Sequence, residues 1–139
     1  MSRVIEVPVS GREWRYLAPL SVIAEFMREK WGEAGRSERV SRYRITKVLR
    51  PLEDYAMGRL DKAATISMMM DILERDYGID SEEEKTRLVD AVRTLVEEVD
   101  RVRRFDKDRV FDFINGLRYA LIGIFKGYYK PVPPGGGKE

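Results

Sequence analysis

The residues best suited to chemistry in this 139-residue chain are cations in a row. Between Arg36 and Arg50 stand Arg36, Arg39, Arg42, Arg44, Lys47 and Arg50, against one acid, Glu38. Wound as a helix at about 100° per residue, the stretch divides into two faces. Ile45, Val48, Leu49, Leu52, Tyr55 and Ala56 fall on one side. Arg39, Arg42, Lys47 and Arg50 fall on the other, with Tyr43 among them and Arg44 at the margin. The first face is fit for burial in protein. The second is a row of charge whose natural partner is a polyanion. Six cations along about 20 Å of helix match a phosphate backbone, and such contacts position a protein without reading sequence. If about six phosphates are neutralised, affinity falls ~10³-fold between about 50 and 200 mM salt. Tyr43 could stack or hydrogen-bond to a phosphate, or it could sit at the edge of the core. The competing reading is a solvated basic face offset by acids elsewhere.

Other chemistry finds few supports. The chain has no cysteine and no histidine, which removes thiol chemistry, disulfides, the usual zinc sites and any Ser-His-Asp triad. Glu82-Glu83-Glu84 and Glu97-Glu98 read as solvated helix positions rather than acid–base pairs. Gly32 and Gly35 precede Arg36-Ser37, but the Gly-Lys-Ser/Thr ending of a phosphate-binding loop is missing. No calcium-loop spacing occurs. The chain therefore reads as a binding protein, not an enzyme, with no cofactor and no metal. Net charge is only +2, but it is unevenly spread. Residues 1–50 carry 11 basic and 6 acidic side chains, residues 51–100 carry 6 and 14, and residues 101–139 carry 9 and 4. Such alternation suits a subunit that touches an anion and also packs against copies of itself. Abundant Arg, Glu and Val suit a hot habitat. No signal peptide is expected.

The elements that must position the basic row read as helices. With 43% hydrophobic and 36% charged residues, the chain is expected to form one all-α domain, a bundle of four to five helices. Residues 1–12 read as an extended arm that orders against another molecule. Residues 13–129 form the helical domain, 13–58 carrying the basic segment and 60–129 the bundle, and residues 130–139 are a flexible Pro/Gly tail. The first helix, Glu13–Trp31, has a spine of Leu17, Leu20, Ile23, Met27 and Trp31. Trp14, Val22 and Phe26 add apolar surface off that line. Pro19 is expected to kink it or mark its start, and Gly32 to cap it. Trp14, Phe26 and Trp31 are candidate subunit contacts, with a central core helix as the alternative. Ser37 or Ser41 caps the basic helix, which runs to about Gly58 and bends at Pro51. Leu60–Tyr77 follows, stopped by Gly78, and Ser81 opens Glu82–Arg104 as a capping box. In that helix Leu88, Val92, Leu95, Val99 and Val102 form a bundle seam, and Arg101, Arg103 and Arg104 make a second basic spot. Asp106 or Asp108 caps the last helix, about Arg109–Tyr129. It is apolar nearly all round, too interrupted by charge to span a membrane, yet able to lie against one or against a neighbour. Gly116, Ala120, Gly123 and Gly127 share one stripe, a candidate close-approach contact between subunits.

The order of features resembles the major capsid proteins of rod-shaped and filamentous archaeal viruses, the rudivirus, lipothrixvirus and tristromavirus group. The residues concerned are the Pro-bearing apolar helix, Trp31-Gly32, the turn Gly35-Arg36-Ser37, the helix with Lys47-Val48-Leu49-Arg50, then Tyr77-Gly78 and Leu88-Val89-Asp90-Ala91-Val92. The likeness covers about residues 14–96. It implies a helical bundle with a helix–turn–helix segment that wraps linear double-stranded DNA, held in A-form. Partners would be that DNA, a second or paralogous capsid subunit in a filament, and an envelope membrane in some members. Location would be the virion. Arg36, Arg39, Arg42, Arg44, Lys47 and Arg50 would be phosphate contacts, with Arg12, Arg15, Arg28 and Lys30 as secondary ones. The acidic middle, the last helix and the tail depart from the family pattern. A second likeness is to the small helical subunit of type III CRISPR effector complexes. Leu49-Arg50-Pro51-Leu52-Glu53-Asp54-Tyr55-Ala56-Met57-Gly58-Arg59 is similar to a stretch there, as is an aromatic-rich final helix, Phe111–Tyr129, though the first motif comes early. That likeness implies binding of a guide–target duplex.

Overall fold

A computed structural model describes residues 4–35 and 40–135. Strand β1 (Ile5–Pro8) leads into α1 (Gly11–Gly35), followed by α2 (Arg42–Thr46), a 3-10 turn (Lys47–Leu49) and α3 (Arg50–Ala56). Three longer helices follow, α4 (Lys62–Tyr77), α5 (Glu82–Phe105) and α6 (Val110–Phe125), and the chain closes on β2 (Tyr129–Val132). The architecture is an all-α bundle with one short strand pair. A single cluster of buried side chains draws on every helix, from Leu17 on α1 to Phe125 on α6.

Helix α1 is the central element, packed along α5 and α6 and touching α4 and β2. It is apolar on several sides because it is covered on several sides: Leu17, Leu20, Ile23, Ala24, Phe26 and Met27 are all buried. Its start is a reciprocal cap. Glu13 N–H donates to Ser10 Oγ and Ser10 N–H donates to Glu13 Oε1, both at 3.1 Å, which satisfies two otherwise orphaned donors. The helix runs through Pro19, and it runs through Gly32 as well, so the expected glycine cap is not used. Trp31 stacks on Tyr77 and meets Phe125 edge-on. That packing pins the final turns where glycine alone would favour fraying. The turn of the expected helix–turn–helix falls on residues 36–39, outside the described residues.

The basic helix does not run unbroken to Gly58. Ser41 caps α2, its Oγ accepting from Arg44 N–H, and after one turn the backbone tightens into the 3-10 segment before α3. Pro51 accounts for this. It has no N–H, and its ring would press on the carbonyl of Lys47, four residues back. The backbone relieves that clash upstream, with Arg50 N–H donating to the Lys47 carbonyl in 3-10 fashion, and Pro51 sits in the first turn of α3, where the ring is tolerated.

Helices α4 and α5 follow their caps. Asp61 accepts from Ala64 N–H and Ser81 from Glu84 N–H, and Gly78 stops α4 with φ +82°. The α5 seam is buried from Leu88 through Val99. Neither Asp106 nor Asp108 caps α6: Arg109 holds the cap position without a side-chain bond, and Asp106 instead accepts from Asp108 N–H.

The chain ends overturn two expectations. The arm does not wait for another molecule, and the tail is not free from residue 130. Residues Ile5, Glu6, Val7 and Pro8 align with Tyr129, Lys130, Pro131 and Val132 in a parallel pair, extended by Val9 N–H donating to the Val132 carbonyl at 3.1 Å. Pro131 and Val132 are buried. A four-residue pairing across the whole chain length, with a proline in each strand, leaves no local turn signal to reveal it.

Candidate nucleic-acid interface

Helix α2 and the start of α3 present three arginines, Arg42, Arg44 and Arg50, all exposed. Among the described residues no carboxylate pairs with any of them. Two are held by aromatic faces instead. The Arg44 guanidinium lies over the Trp31 indole, 5.1 Å from the ring centre. Arg50 lies over the Tyr43 ring at 5.8 Å, and its Nη1 donates to the Tyr43 hydroxyl at 3.1 Å. A π face orients a cation without cancelling its charge, so these groups stay available to an outside anion. Tyr43 is 57% exposed and serves as the seat of Arg50, not as part of the core. Beneath them Ile45, Val48 and Leu49 are buried, the division of faces that the sequence indicates.

The pedestal is aromatic too. Tyr77 stacks on Trp31 at 5.3 Å, meets Phe26 edge-on, and its hydroxyl lies 3.5 Å from the Arg44 carbonyl. Burial, with Asp76 nearby, pushes the Tyr77 phenol up to about 12, so it remains neutral through ordinary pH. Helices α1, α2 and α4 thus meet at one neutral ring.

Other expected contacts are spent inside the molecule. Lys47 pairs with Asp76 at 3.3 Å. Lys30 is bound by Asp80 at 2.5 Å and Glu84 at 3.0 Å; the hydrogen bond to Asp80 raises its pKa and outweighs partial desolvation. The Arg28 guanidinium packs over Gly127, occupying the place a side chain there would need. Arg15 leans toward the buried Glu98 at 3.7 Å, and Glu98 is therefore not the solvated residue expected. Arg12 is exposed, but it stands nineteen residues before Trp31 on α1, roughly 28 Å along the axis. The secondary cations are not gathered beside the main row. Arg36 and Arg39 lie outside the described residues.

The candidate subunit contacts divide similarly. Phe26 is buried and Trp31 is engaged by Tyr77 and Phe125. Gly123 is small because Tyr129 of β2 lies against it: a Cβ there would meet Tyr129 Cε1 at 2.7 Å. Gly127 lies beyond α6, at φ +76° in the turn to β2. The close approach is real for these two, and the approaching group belongs to the same chain. Trp14 and Ala120 are half-buried, and Gly116 faces open space.

A polar centre escaped the sequence reading. Asp100 on α5 is buried. It accepts from the Tyr55 hydroxyl at 2.8 Å and pairs with Arg104 at 2.9 Å, Arg103 at 3.3 Å and Lys62 at 3.5 Å. Burial alone raises its pKa, but the Tyr55 hydrogen bond and the cations Lys62 and Arg104 together hold it below the ordinary 3.8. The signal was present as Asp100 flanking the seam residues Val96 and Val99, within reach of Arg103 and Arg104 one turn on.

Comparison with protein-family models, curated proteins and solved structures returns no match. The likenesses thus rest on their own short stretches. Of these, Leu49–Arg59 covers α3 and the turn after it, with Gly58 at φ +81°. Helix α3 packs on α6, where Arg118 meets Glu53 at 2.5 Å. Among the described residues no group of three His, Cys, Asp or Glu could hold a metal ion, and no helix is long and apolar enough to cross a membrane.

Proposed function

We propose that this chain is a nucleic-acid-binding subunit of a larger assembly, gripping backbone phosphates through Arg42, Arg44 and Arg50 without reading base sequence. The observation that carries this is the seating of Arg44 and Arg50 on Trp31 and Tyr43 rather than on carboxylates. A protein that needed these cations only for solubility or internal pairing has no reason to fix them while leaving their charge open.

Of the two settings, a compact ribonucleoprotein is better supported than a filament. The wrapping helix–turn–helix of a capsid subunit should be free to leave its own body, whereas here α1 packs along α5 and α6 and α2 packs on α6. The two stretches similar to the small subunit of type III CRISPR effectors pack against each other, through α3 and α6. In that setting the three arginines lie along a guide–target duplex. In the viral setting the same arginines would hold linear double-stranded DNA inside a virion filament.

The test is Arg42→Glu combined with Arg50→Glu, both exposed positions. Circular dichroism should be unchanged, while binding to a 20-base-pair duplex at about 50 mM salt should be lost. Wild-type-like binding by the double variant would overturn the site. Nuclease protection of native particles separates the settings: protected RNA in compact particles for the first, protected DNA in filaments for the second.

A further inference from the structure

The end of α5 carries a feature that the basic row does not explain. Phe105 is 86% exposed, the most exposed large apolar side chain among the described residues. It sits between Arg104 and Lys107. Its sequence neighbours Arg103, Arg104 and Lys107, with Ala56, Met57 and Gly58, line a cavity of about 340 Å³, whose wall does not include Phe105 itself. Three of its six wall residues are cations, and the turn at Gly58 brings bare backbone to the rim.

The cations are held in place from behind. Arg103 donates Nη1 to the Tyr55 carbonyl at 2.6 Å and Nη2 to Asp100 at 3.3 Å, with its guanidinium 4.4 Å from the Tyr55 ring centre. Arg104 meets Asp100 through Nε at 2.9 Å, with its side chain 71% exposed. Lys107 has no carboxylate partner among them. The nearby acids are already engaged: Asp100 by four donors, and Asp106 by Arg109 at 3.3 Å. An anion entering here meets the exposed Arg104 and Lys107 side chains, with Asp108 as the neighbouring carboxylate.

We infer that this cavity and Phe105 form a second nucleic-acid site, which takes a single-stranded segment with a phosphate between Arg104 and Lys107 and a base stacked on the Phe105 ring. A cation pair beside an exposed aromatic ring is the pairing that binds unpaired nucleotides, because each base offers a face to the ring and each phosphate a charge to the groove. A duplex keeps its bases stacked inside and cannot use the ring. The ligand class rests on the proposed function, but the site is separate from Arg42, Arg44 and Arg50 and is tested separately.

The experiment uses the full chain and fluorescence anisotropy with a 12-nucleotide oligouridine and a 20-base-pair duplex. Phe105→Leu keeps bulk and apolarity while removing the ring, and at an exposed position it should leave the melting temperature unchanged. It should weaken oligouridine binding about fivefold or more and leave duplex binding unchanged. Arg104→Gln with Lys107→Gln should lower the slope of log affinity against log salt for oligouridine by about 1.4, the value for two phosphate contacts on a single strand. Oligouridine binding that is absent in the wild type, or equal in wild type and both variants, overturns the inference, even if the duplex still depends on Arg42 and Arg50. Loss of self-association in Phe105→Leu by sedimentation, with strand affinity intact, also overturns it and assigns the ring to a protein contact. Phe105-dependent strand binding that ignores Arg42→Glu and Arg50→Glu upholds this site, while duplex binding that also ignores those two changes removes the proposed function of the other.

Discussion

Asp100 shows how much one side chain can organise. It joins α3 to α5 through Tyr55, and it aims two arginines outward. Tyr55→Phe removes one donor from a buried carboxylate and should cost about 1–2 kcal/mol in urea unfolding. The acid dependence follows from the lowered pKa. A carboxylate whose folded-state pKa lies below its unfolded value stabilises the fold above the unfolded pKa, and loses that contribution as pH falls through the folded one. The stability difference between wild type and Asp100→Asn should therefore be constant at neutral pH and shrink as pH drops below the ordinary 3.8. Unfolding at pH 7, about 4 and about 3 checks this; a difference that stays level through that range would remove Asp100 from the ledger. Tyr77 predicts the opposite kind of silence. Spectrophotometric titration should find the Tyr77 phenol ionising with a midpoint near 12, with Tyr16, Tyr55 and Tyr129 also raised by burial. At this scale the sequence was informative about residue type and poor about engagement. It separated Ile45 and Leu49 from Arg42 and Arg50 correctly, but it could not tell that Lys47 meets Asp76 while Arg44 meets Trp31. Those partners come from α4 and α1, and no spacing within the basic stretch encodes them.

Elements divide by how local their determinants are. Helices α4 and α5 could be read from Ser81, Gly78 and the 4-3 spacing of Leu88, Val92, Leu95 and Val99, because caps and seams are neighbours in sequence. Pro51 marks the break between α2 and α3 in the sequence, but the break itself lies upstream, since the ring acts on a carbonyl four residues earlier. The strand pair was illegible, as its two halves are separated by the entire bundle. Its seat can be tested at Gly123. Gly123→Ala places a methyl where the Tyr129 ring lies, so the ring and β2 must shift. We expect a loss of about 1–3 kcal/mol and faster amide exchange at Val9, whose N–H bonds to the Val132 carbonyl. Unchanged exchange at Val9 would mean that β2 holds its place without that contact. Gly78→Ala, at φ +82°, should cost about 1–2 kcal/mol by forcing a side chain into the left-handed region.

For the whole molecule the basic row is shorter than its sequence suggests, and this has a measurable consequence. Six phosphate contacts would reduce duplex affinity about 10³-fold between about 50 and 200 mM salt. The three open arginines alone predict a reduction of about 40-fold over the same range. A value near the larger figure would bring Arg36 and Arg39 into the contact; no salt dependence would sink the phosphate reading altogether. The acidic middle of the chain supplies Asp76, Asp80, Glu84 and Asp100, which neutralise cations of the same molecule, so charge asymmetry along the sequence is largely cancelled in space. The parallel strands at the two ends have one more consequence, a mechanical one. A pull that separates residue 4 from residue 133 runs along both strands in opposite directions. Their hydrogen bonds then bear load together in shear instead of peeling apart singly. A molecule strung along a moving polymer would, by that geometry, resist being drawn out from its tips.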